Sequence, residues 1–573
     1  MVDRIKLRVY YKQITLGYCR KRAKTMLSGF DPKQIQDLEG ARQAIVLLLN
    51  LVEEVKQENE QLRQTVQQLR DEISRLKGEQ GKPDIKPDKK KGKDHSSEKE
   101  RRQPKKWQKG SKLTKVRVNR TEVLEVDKSE LPADAEFKGH EAVIVQELKV
   151  ETANVRFLKE KYYSPSLRKT WLAALPAGYE GEFGPHVRSM VITLYYGANM
   201  SEPKIIELLG YLGICISDGQ VSNILTKRNE RWQAEKEAIY REGLNSSSWQ
   251  HIDDTSTRVD GQNQYCHIVG NPLYTAYFTR PHKDRLTVIE VLQNIAESQF
   301  LLNSQTREWL AAFEVPQWAC DLIEQWPHQE WLNQEQMRTR LEAQLSRLND
   351  QQKARVLEAA ALTAYHAQTT MPVLARLMSD DAPQFKALTA EQALCWVHDG
   401  RHYKKLTPCV EHHQKLLDDF RQQYWTYYAK LEQYRAAPSP IKAAALGQEF
   451  DTLFSQETGY DKLDKRIAKT KAKKEQLLLA LKHPEMPLHN NPAELGARQR
   501  VRKRDVSFGP RTEDGLAAWD TFMTLAETAK KLGVSFYAYV HDRISESNLL
   551  PDLADLIRQQ APAFHPVRVP APP

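Results

Sequence analysis

Residues 41–77 place apolar side chains at two positions of every seven. Ile45, Val52, Asn59, Val66 and Ile73 hold one position, and Leu48, Val55, Leu62, Leu69 and Leu76 hold the other. A seam repeating every 3.5 residues commits this stretch to a helix that needs a partner along a narrow stripe. β-branched residues at a, mostly Leu at d and a single Asn at a predict a parallel two-stranded coiled coil, in which Asn59 fixes register and strand number. Val52, Asn59, Leu62, Val66 and Leu69 would carry the homodimer contact. A helix docked on its own chain is the competing reading. The narrow seam and the Glu, Gln, Arg and Lys at nearly all other positions argue against it.

Gly78 to Lys112 follows with almost no apolar residues, so residues 78–114 are expected to be a disordered linker. Between Lys82 and Arg120 stand 16 Lys/Arg against 5 Asp/Glu, in a chain whose formal net charge is +10. The surplus is therefore local, and the rest of the chain is close to neutral. A local basic stretch, including Lys105 and Lys106, points to a polyanion, with nucleic acid the obvious one. A solvated spacer is the alternative. The basic segment 1–40 has no apolar core resembling a signal peptide. No run of about 18 apolar residues occurs, so no membrane span is expected. The six cysteines form no CxxC pair, which fits free thiols in a reducing cytoplasm, here about the nucleoid.

The remaining chain reads as a multidomain α+β protein. Residues 115–170 alternate apolar and polar in short runs and suggest a small β-rich domain. Residues 171–232 are helical. Ser201 opens one helix, Gly210 and Gly213 mark its end, and Ser217 opens the next, Gln220 to Lys227. That is helix-turn-helix grammar, with Ser222, Asn223, Lys227 and Arg228 facing DNA. Residues 233–545 form one α/β unit. Its first strands are Trp249 to Asp253, Tyr265 to Gly270 and Tyr274 to Phe278. A helical insertion without strand signal spans about 295–372, and strands resume at Val373–Ser379 and Ala393–His398. The Pro-rich tail 546–573 is expected to fray.

Three acidic features end elements of this unit. Asp253-Asp254 closes a strand, Asp380-Asp381 closes another, and Glu494 sits in the first turn of a helix opened by Asn491-Pro492. Two short carboxylates on strand ends and a longer one on a helix suit two-metal phosphodiester chemistry. Alternation allows only one of Asp253 and Asp254 to be a central ligand, and Asp381 competes with Asp380. Glu494 has a structural alternative, a capping-box bond to the helix start. Arg498, Arg500, Arg502, Lys503 and Arg504 follow it and would meet the DNA backbone. Cys395-x2-His398 with Cys409-x2-His412 has zinc-like spacing, but on a strand Cys395 and His398 would face apart.

Several phrases together resemble the insertion-sequence 66 family of bacterial transposases. They are Gly181-Glu182-Phe183-Gly184-Pro185, Ile216 to Ser222, His251-Ile252-Asp253-Asp254-Thr255, Cys395-Trp396-Val397-His398, Asn490-Asn491-Pro492-Ala493-Glu494 and Glu527-Thr528-Ala529-Lys530. The resemblance implies an RNase H-like catalytic domain and an Asp-Asp-Glu triad of Asp253, Asp380 and Glu494 binding Mg²⁺, with Mn²⁺ as substitute. Asp380 precedes Asp381-Ala382-Pro383 where the family reads Asp-Gly-Tyr, residues 115–165 lack the family's cysteines, and the insertion is long. These departures indicate a divergent branch. The expected function is a dimeric or larger Asp-Asp-Glu transposase that nicks double-stranded element ends and joins the 3′-OH to target DNA, with accessory proteins left open. The alternative is a non-catalytic DNA-binding regulator.

Overall fold

The computed structural model describes residues 35–76 and 116–564, less 36, 128, 130 and 133. Most of segment 1–40, the basic linker with Lys105 and Lys106, and residues 565–573 lie outside the described residues. No described helix is long and apolar enough to cross a membrane.

Leu38–Leu76 form one helix, α1. Its seam residues Ile45, Leu48, Val52, Val55, Val66 and Ile73 stay exposed. The opposite face is not free. Asn50 donates to the Gly459 carbonyl at 2.8 Å and accepts from the Asp461 amide at 3.1 Å. Glu53, 1% exposed, accepts from the amides of Cys409 and Val410 at 2.7 and 2.8 Å and lies 3.4 Å from His413. Burial pushes the Glu53 carboxyl up, but the two amides, His413 and Gln57 outweigh it and hold the group below its ordinary value. The docked-helix alternative is thus realised at heptad positions b and f, while a and d remain open. Glu53→Ala removes the charged acceptor of the Cys409 and Val410 amides, which should weaken the docking of α1 by about 1–3 kcal/mol. Hydrogen exchange at Cys409 and Val410 should accelerate accordingly, and unchanged protection would show that Glu53 does not hold the clasp.

Among the described residues of 116–170, only Lys161–Ser164 and Lys169–Leu172 pair, as an exposed hairpin. The expected β-rich domain is corrected to this hairpin. Val143, Val145 and Leu148 alternate as strands do but stand exposed, with no second layer to bury them.

Helix Pro185–Ile192 runs into one π-helical turn, Thr193–Gly197. Then come α2 (Glu202–Tyr211), α3 (Asp218–Thr226) and α4 (Glu230–Asn245). Ser217 caps α3, its side chain accepting from the Gln220 amide. Ile205, Leu209, Val221 and Leu225 are buried in the same apolar core as the central sheet. The Trp519 indole donates to the Tyr195 hydroxyl at 3.2 Å. The helices of residues 171–232 therefore pack on one another and share one apolar core with the central sheet.

The sheet comprises β1 (Trp249–Val259), β2 (Gln262–Gly270), β3 (Thr275–Arg280), β4 (Arg376–Ser379) and β5 (Glu391–Leu394), in the order β3-β2-β1-β4-β5. The first three strands are antiparallel, and β4 and β5 run parallel to β1. Asp260 and Gly261 both have positive φ, as a two-residue hairpin with primed-turn twist requires. Between β3 and β4 lie five helices from Arg285 to Ala367, with one short strand pair, Phe300–Leu301 and Trp331–Leu332. That pair corrects the expectation of an insertion without strands.

After β5 the chain forms α5 (Trp396–Lys404), α6 (Glu411–Ala436), α7 (Pro440–Leu453) and α8 (Asp461–Lys471) around a second, aromatic core of Trp396, Tyr424 and Phe450. The strand expected at Ala393–His398 is corrected. It stops at Leu394, and the Cys395 thiol accepts the His398 amide at the start of α5. Helices α9 (Asn491–Ser507) and α10 (Glu513–Lys531) then return to the sheet. Gly496 allows the close approach of α9 to β2, since a Cβ there would come within 2.9 Å of Ile268. On α10, Asp520, Thr524 and Thr528 accept the amides of Thr279, Tyr277 and Thr275 at 2.6, 3.1 and 3.3 Å. Helix side chains thus seal the free edge of β3. The tail is also corrected. Leu553–Gln560 is a helix whose Leu553 and Ile557 are fully buried.

Candidate active site

Four elements, β1, β4, α5 and α9, meet at one open cavity of about 470 Å³, lined by Asp253, Asp380, His398, Arg401, Asn490, Glu494, Ala497, Arg498 and Val501. Asp253 comes from the middle of β1, which runs on to Val259 rather than closing at Asp253-Asp254 as expected. β4 pairs with β1 through Trp249↔Arg376 and His251↔Met378. The same register carried two residues further sets Asp380 beside Asp253. Asp254 faces elsewhere and accepts from Gln384 at 2.6 Å, as alternation requires. Asp381 is held by Lys473 and lies 3.6 Å from Lys386, so Asp380 is the member of that pair that lines the cavity.

Asn490 couples Glu494 to this floor. His251 Nδ1–H donates to the Asn490 carbonyl oxygen at 2.8 Å, and the Asn490 amide donates to the Ile252 carbonyl at 2.7 Å. The Asn490 backbone amide donates to the Cys395 thiol at 3.3 Å. The three phrases around Asp253, Cys395 and Glu494 are therefore bonded into one assembly. Burial holds His251 neutral, its pKa lowered to about 3. Helix α9 starts one residue earlier than expected, with Asn490 rather than Asn491 at the cap and no side-chain capping bond. Glu494 is free of the capping box and instead accepts from Arg401 at 2.7 Å.

Burial first, and then the charges of Asp380, Glu494 and Asp254, push the Asp253 carboxyl up to about 8, against the Asp254 amide that favours its ionised form. Burial likewise raises Asp380, with the Ala382 amide and His398 pulling the other way. Carboxylates crowded without a sufficient cation suit a hard divalent ion, and an all-oxygen donor set suits Mg²⁺ or Mn²⁺. Among the described residues, no three His, Cys, Asp or Glu side chains are close enough to enclose a metal. Asp253, Asp380 and Glu494 thus line one cavity without converging on a single metal position. The zinc-like Cys395/His398 and Cys409/His412 spacing gathers no such group either.

Of the expected basic contacts, Arg498 and Arg502 are exposed, and Arg498 lines the cavity. Arg504 donates to the Ser256 carbonyl at 2.6 Å. Arg500 and Lys503 are corrections. Both are fully buried. Arg500 lies 3.2 Å from Asp520 and donates to Thr279 Oγ1 at 2.8 Å, and Lys503 donates to the Tyr195 carbonyl at 2.6 Å. Neither can reach a phosphate, because they sit on the face of α9 turned to the core. On α3, Asn223 is exposed and Ser222 half-buried. Just beyond it Lys227 pairs with Asp514 at 2.6 Å, and Arg228 pairs with Glu180. Arg401 is the cavity residue that the sequence reading missed. On a helix it shares the face of His398 three residues before it, but reading that stretch as a strand hid the relation.

A family model described as "Transposase IS66 family" matches residues 358–518. A protein of Sinorhizobium fredii, "Uncharacterized protein y4jO", is 30% identical over 320 residues, which cover 56% of this chain and 99% of that protein. The chain belongs to the transposase IS66 family. The family match contains Asp380, His398, Arg401, Glu494 and Arg498. Asp253 lies before it and joins the same cavity through β1.

Proposed function

We propose that this member of the family is a DNA transposase acting through Asp253, Asp380 and Glu494. The observation that carries the reading is the shared cavity of these three carboxylates, one from within β1, one just past β4 and one from the first turn of α9, beside exposed Arg498. The strand order β3-β2-β1-β4-β5, with three antiparallel strands followed by two parallel ones, supports an RNase H-like catalytic domain. The three carboxylates would hold a Mg²⁺ pair, with Mn²⁺ as substitute. When bound, such a pair activates the attacking oxygen and stabilises the leaving one. Water attacks the phosphorus at the element's end, its proton goes to solvent, and the P–O3′ bond breaks to leave a 3′-OH. That 3′-OH then attacks a target phosphorus, loses its proton to solvent and displaces the target strand's own 3′-oxygen, which leaves as a new 3′-OH. Asn490 and His251 keep Glu494 in line with Asp253. Arg401 compensates the Glu494 charge, and Arg498 and Arg502 bind backbone phosphates. Helices α2 and α3 suit a helix-turn-helix, with Ser222 and Asn223 nearest to base edges once the flanking ion pairs of Lys227 and Arg228 open. A nicking assay on the element's terminal duplex, with the three carboxylates replaced singly, tests the reading. Full activity in all three variants would sink it.

The open a/d seam of α1 supports a homodimer or higher oligomer through a coiled coil. Val66→Glu combined with Leu69→Glu should convert dimer to monomer in sedimentation, at about 2–5 kcal/mol for each apolar side chain removed from the seam. An unaltered sedimentation coefficient would move the oligomer interface elsewhere.

A further inference from the structure

Helix α9 ends on Phe508, whose backbone is left-handed at φ 59° and whose side chain is 86% exposed. Glycine ordinarily supplies this position, and a bulky residue there is an outlier. The ring gains no burial in return, so neither local conformation nor packing explains a phenylalanine.

The tip is not loose. The Phe508 amide donates to the Arg504 carbonyl at 2.8 Å, and Arg504 is itself tied to the Ser256 carbonyl. The Asp260 amide donates to the Pro510 carbonyl at 3.0 Å. Gly509 lies so near β1 that a Cβ there would come within 2.3 Å of the Arg258 carbonyl oxygen. Bonds on both sides of Phe508 pin the tip to the β1–β2 turn and hold the ring out to solvent. Glu494, Arg498 and Arg502 follow at four-residue steps along α9, and Phe508 stands at the end of the same helix, about 21 Å of rise beyond Glu494. That distance corresponds to about six base steps at ~3.4 Å each. Exposed Asp505 lies nearby but pairs with Arg504 at 3.4 Å.

We propose that Phe508 is an aromatic wedge that stacks on, and partly unstacks, a DNA base about six steps from the scissile phosphate. The proposal rests on the DNA-transposase reading and adds a base-stacking contact to its phosphate contacts. Apolar side chains inserted at base steps kink duplexes, and stacking on aromatic rings tolerates any sequence.

The test uses the full chain and a duplex of the element's terminal sequence, with 2-aminopurine placed in turn at steps three to nine from the nick. The wild-type protein should give a fluorescence rise centred near step six. Phe508→Ala should abolish the rise and weaken binding about 5- to 100-fold, while Phe508→Trp should keep both. Phe508→Gly should also lose the rise, yet unfold at the same temperature as wild type or a higher one, because glycine relieves the backbone. Unchanged fluorescence and affinity in the Ala and Gly variants would overturn the proposal. So would a change of oligomeric state in place of DNA binding, which would assign the ring to a protein contact. Wild-type protein that binds the duplex and yields the rise but does not nick it would leave the wedge standing and overturn the catalytic reading. Wild-type protein that does not bind the duplex would overturn both.

Discussion

Replacing Glu494 by Gln is expected to lower strand cleavage by at least about 10³-fold, or about 4 kcal/mol of barrier. DNA affinity and unfolding midpoint should stay those of the wild type. Gln is chosen because its carbonyl still accepts from Arg401, the 2.7 Å contact that Glu494 makes now. Helix α9 and its Asn490 anchor to β1 are untouched. What disappears is one negative charge from a cavity that Asp253 and Asp380 also line. A variant that binds the terminal duplex normally but does not nick it in Mg²⁺ or Mn²⁺ meets the expectation. A variant with wild-type nicking would make Glu494 a structural residue and leave the cavity without its third ligand. The regulator alternative would then gain.

Replacing Arg500 by Met is expected to destabilise the fold by about 3–5 kcal/mol, the usual effect of removing one partner of a buried ion pair. Arg500 is fully buried, faces Asp520, donates to Thr279 and lies 4.8 Å from the centre of the Trp519 ring. Lys at this position should rescue only partly, since it lacks the planar fork that spans Asp520 and Thr279. Urea unfolding of the two variants measures this. A residue that met DNA would behave otherwise. Stability would hold, and the salt dependence of binding would fall by about one phosphate contact. That second outcome would reverse the burial assignment.

Arg500 also shows where sequence reasoning stops. The strands around Asp253 were legible because alternation and an Asp-Gly turn are local signals, and Asp380 and Glu494 were legible because each stands at the end of an element, whereas β1 runs six residues past Asp253. The orientation of α9 was not, since a run of Arg and Lys looks solvated until distant partners such as Asp520 and the Tyr195 carbonyl are known. Asn50 and Glu53 misled in the same way. They are polar residues at positions that a heptad assigns to water, yet they anchor α1 to Gly459, Asp461, Cys409 and Val410. The Cys395–His398 phrase was misassigned because an apolar run of four or five residues suits a strand end and a helix start equally. The reverse occurred at Val143 to Leu148, where the alternation is real but no strand among the described residues lies opposite to complete a sheet.

The seal along β3 obeys a vernier. Four residues of helix advance about 6.0 Å, and two residues of strand advance about 6.6–6.8 Å. Asp520, Thr524 and Thr528 can therefore keep step with alternate strand amides only briefly, slipping by more than half an ångström at each rung. The three contacts lengthen in that order, from 2.6 to 3.1 to 3.3 Å. The next position on this face is Leu532, which offers no acceptor, and the Leu273 amide donates instead to Asn271 at 2.8 Å, so the seal ends at Thr275, where β3 begins. Beyond it the Lys531 ammonium takes over, donating to the Asn271 and Tyr274 carbonyls. The mismatch of the two backbone periods and the loss of an acceptor at Leu532 thus limit this seal to three rungs. A longer β3 would reopen the sheet to any passing strand.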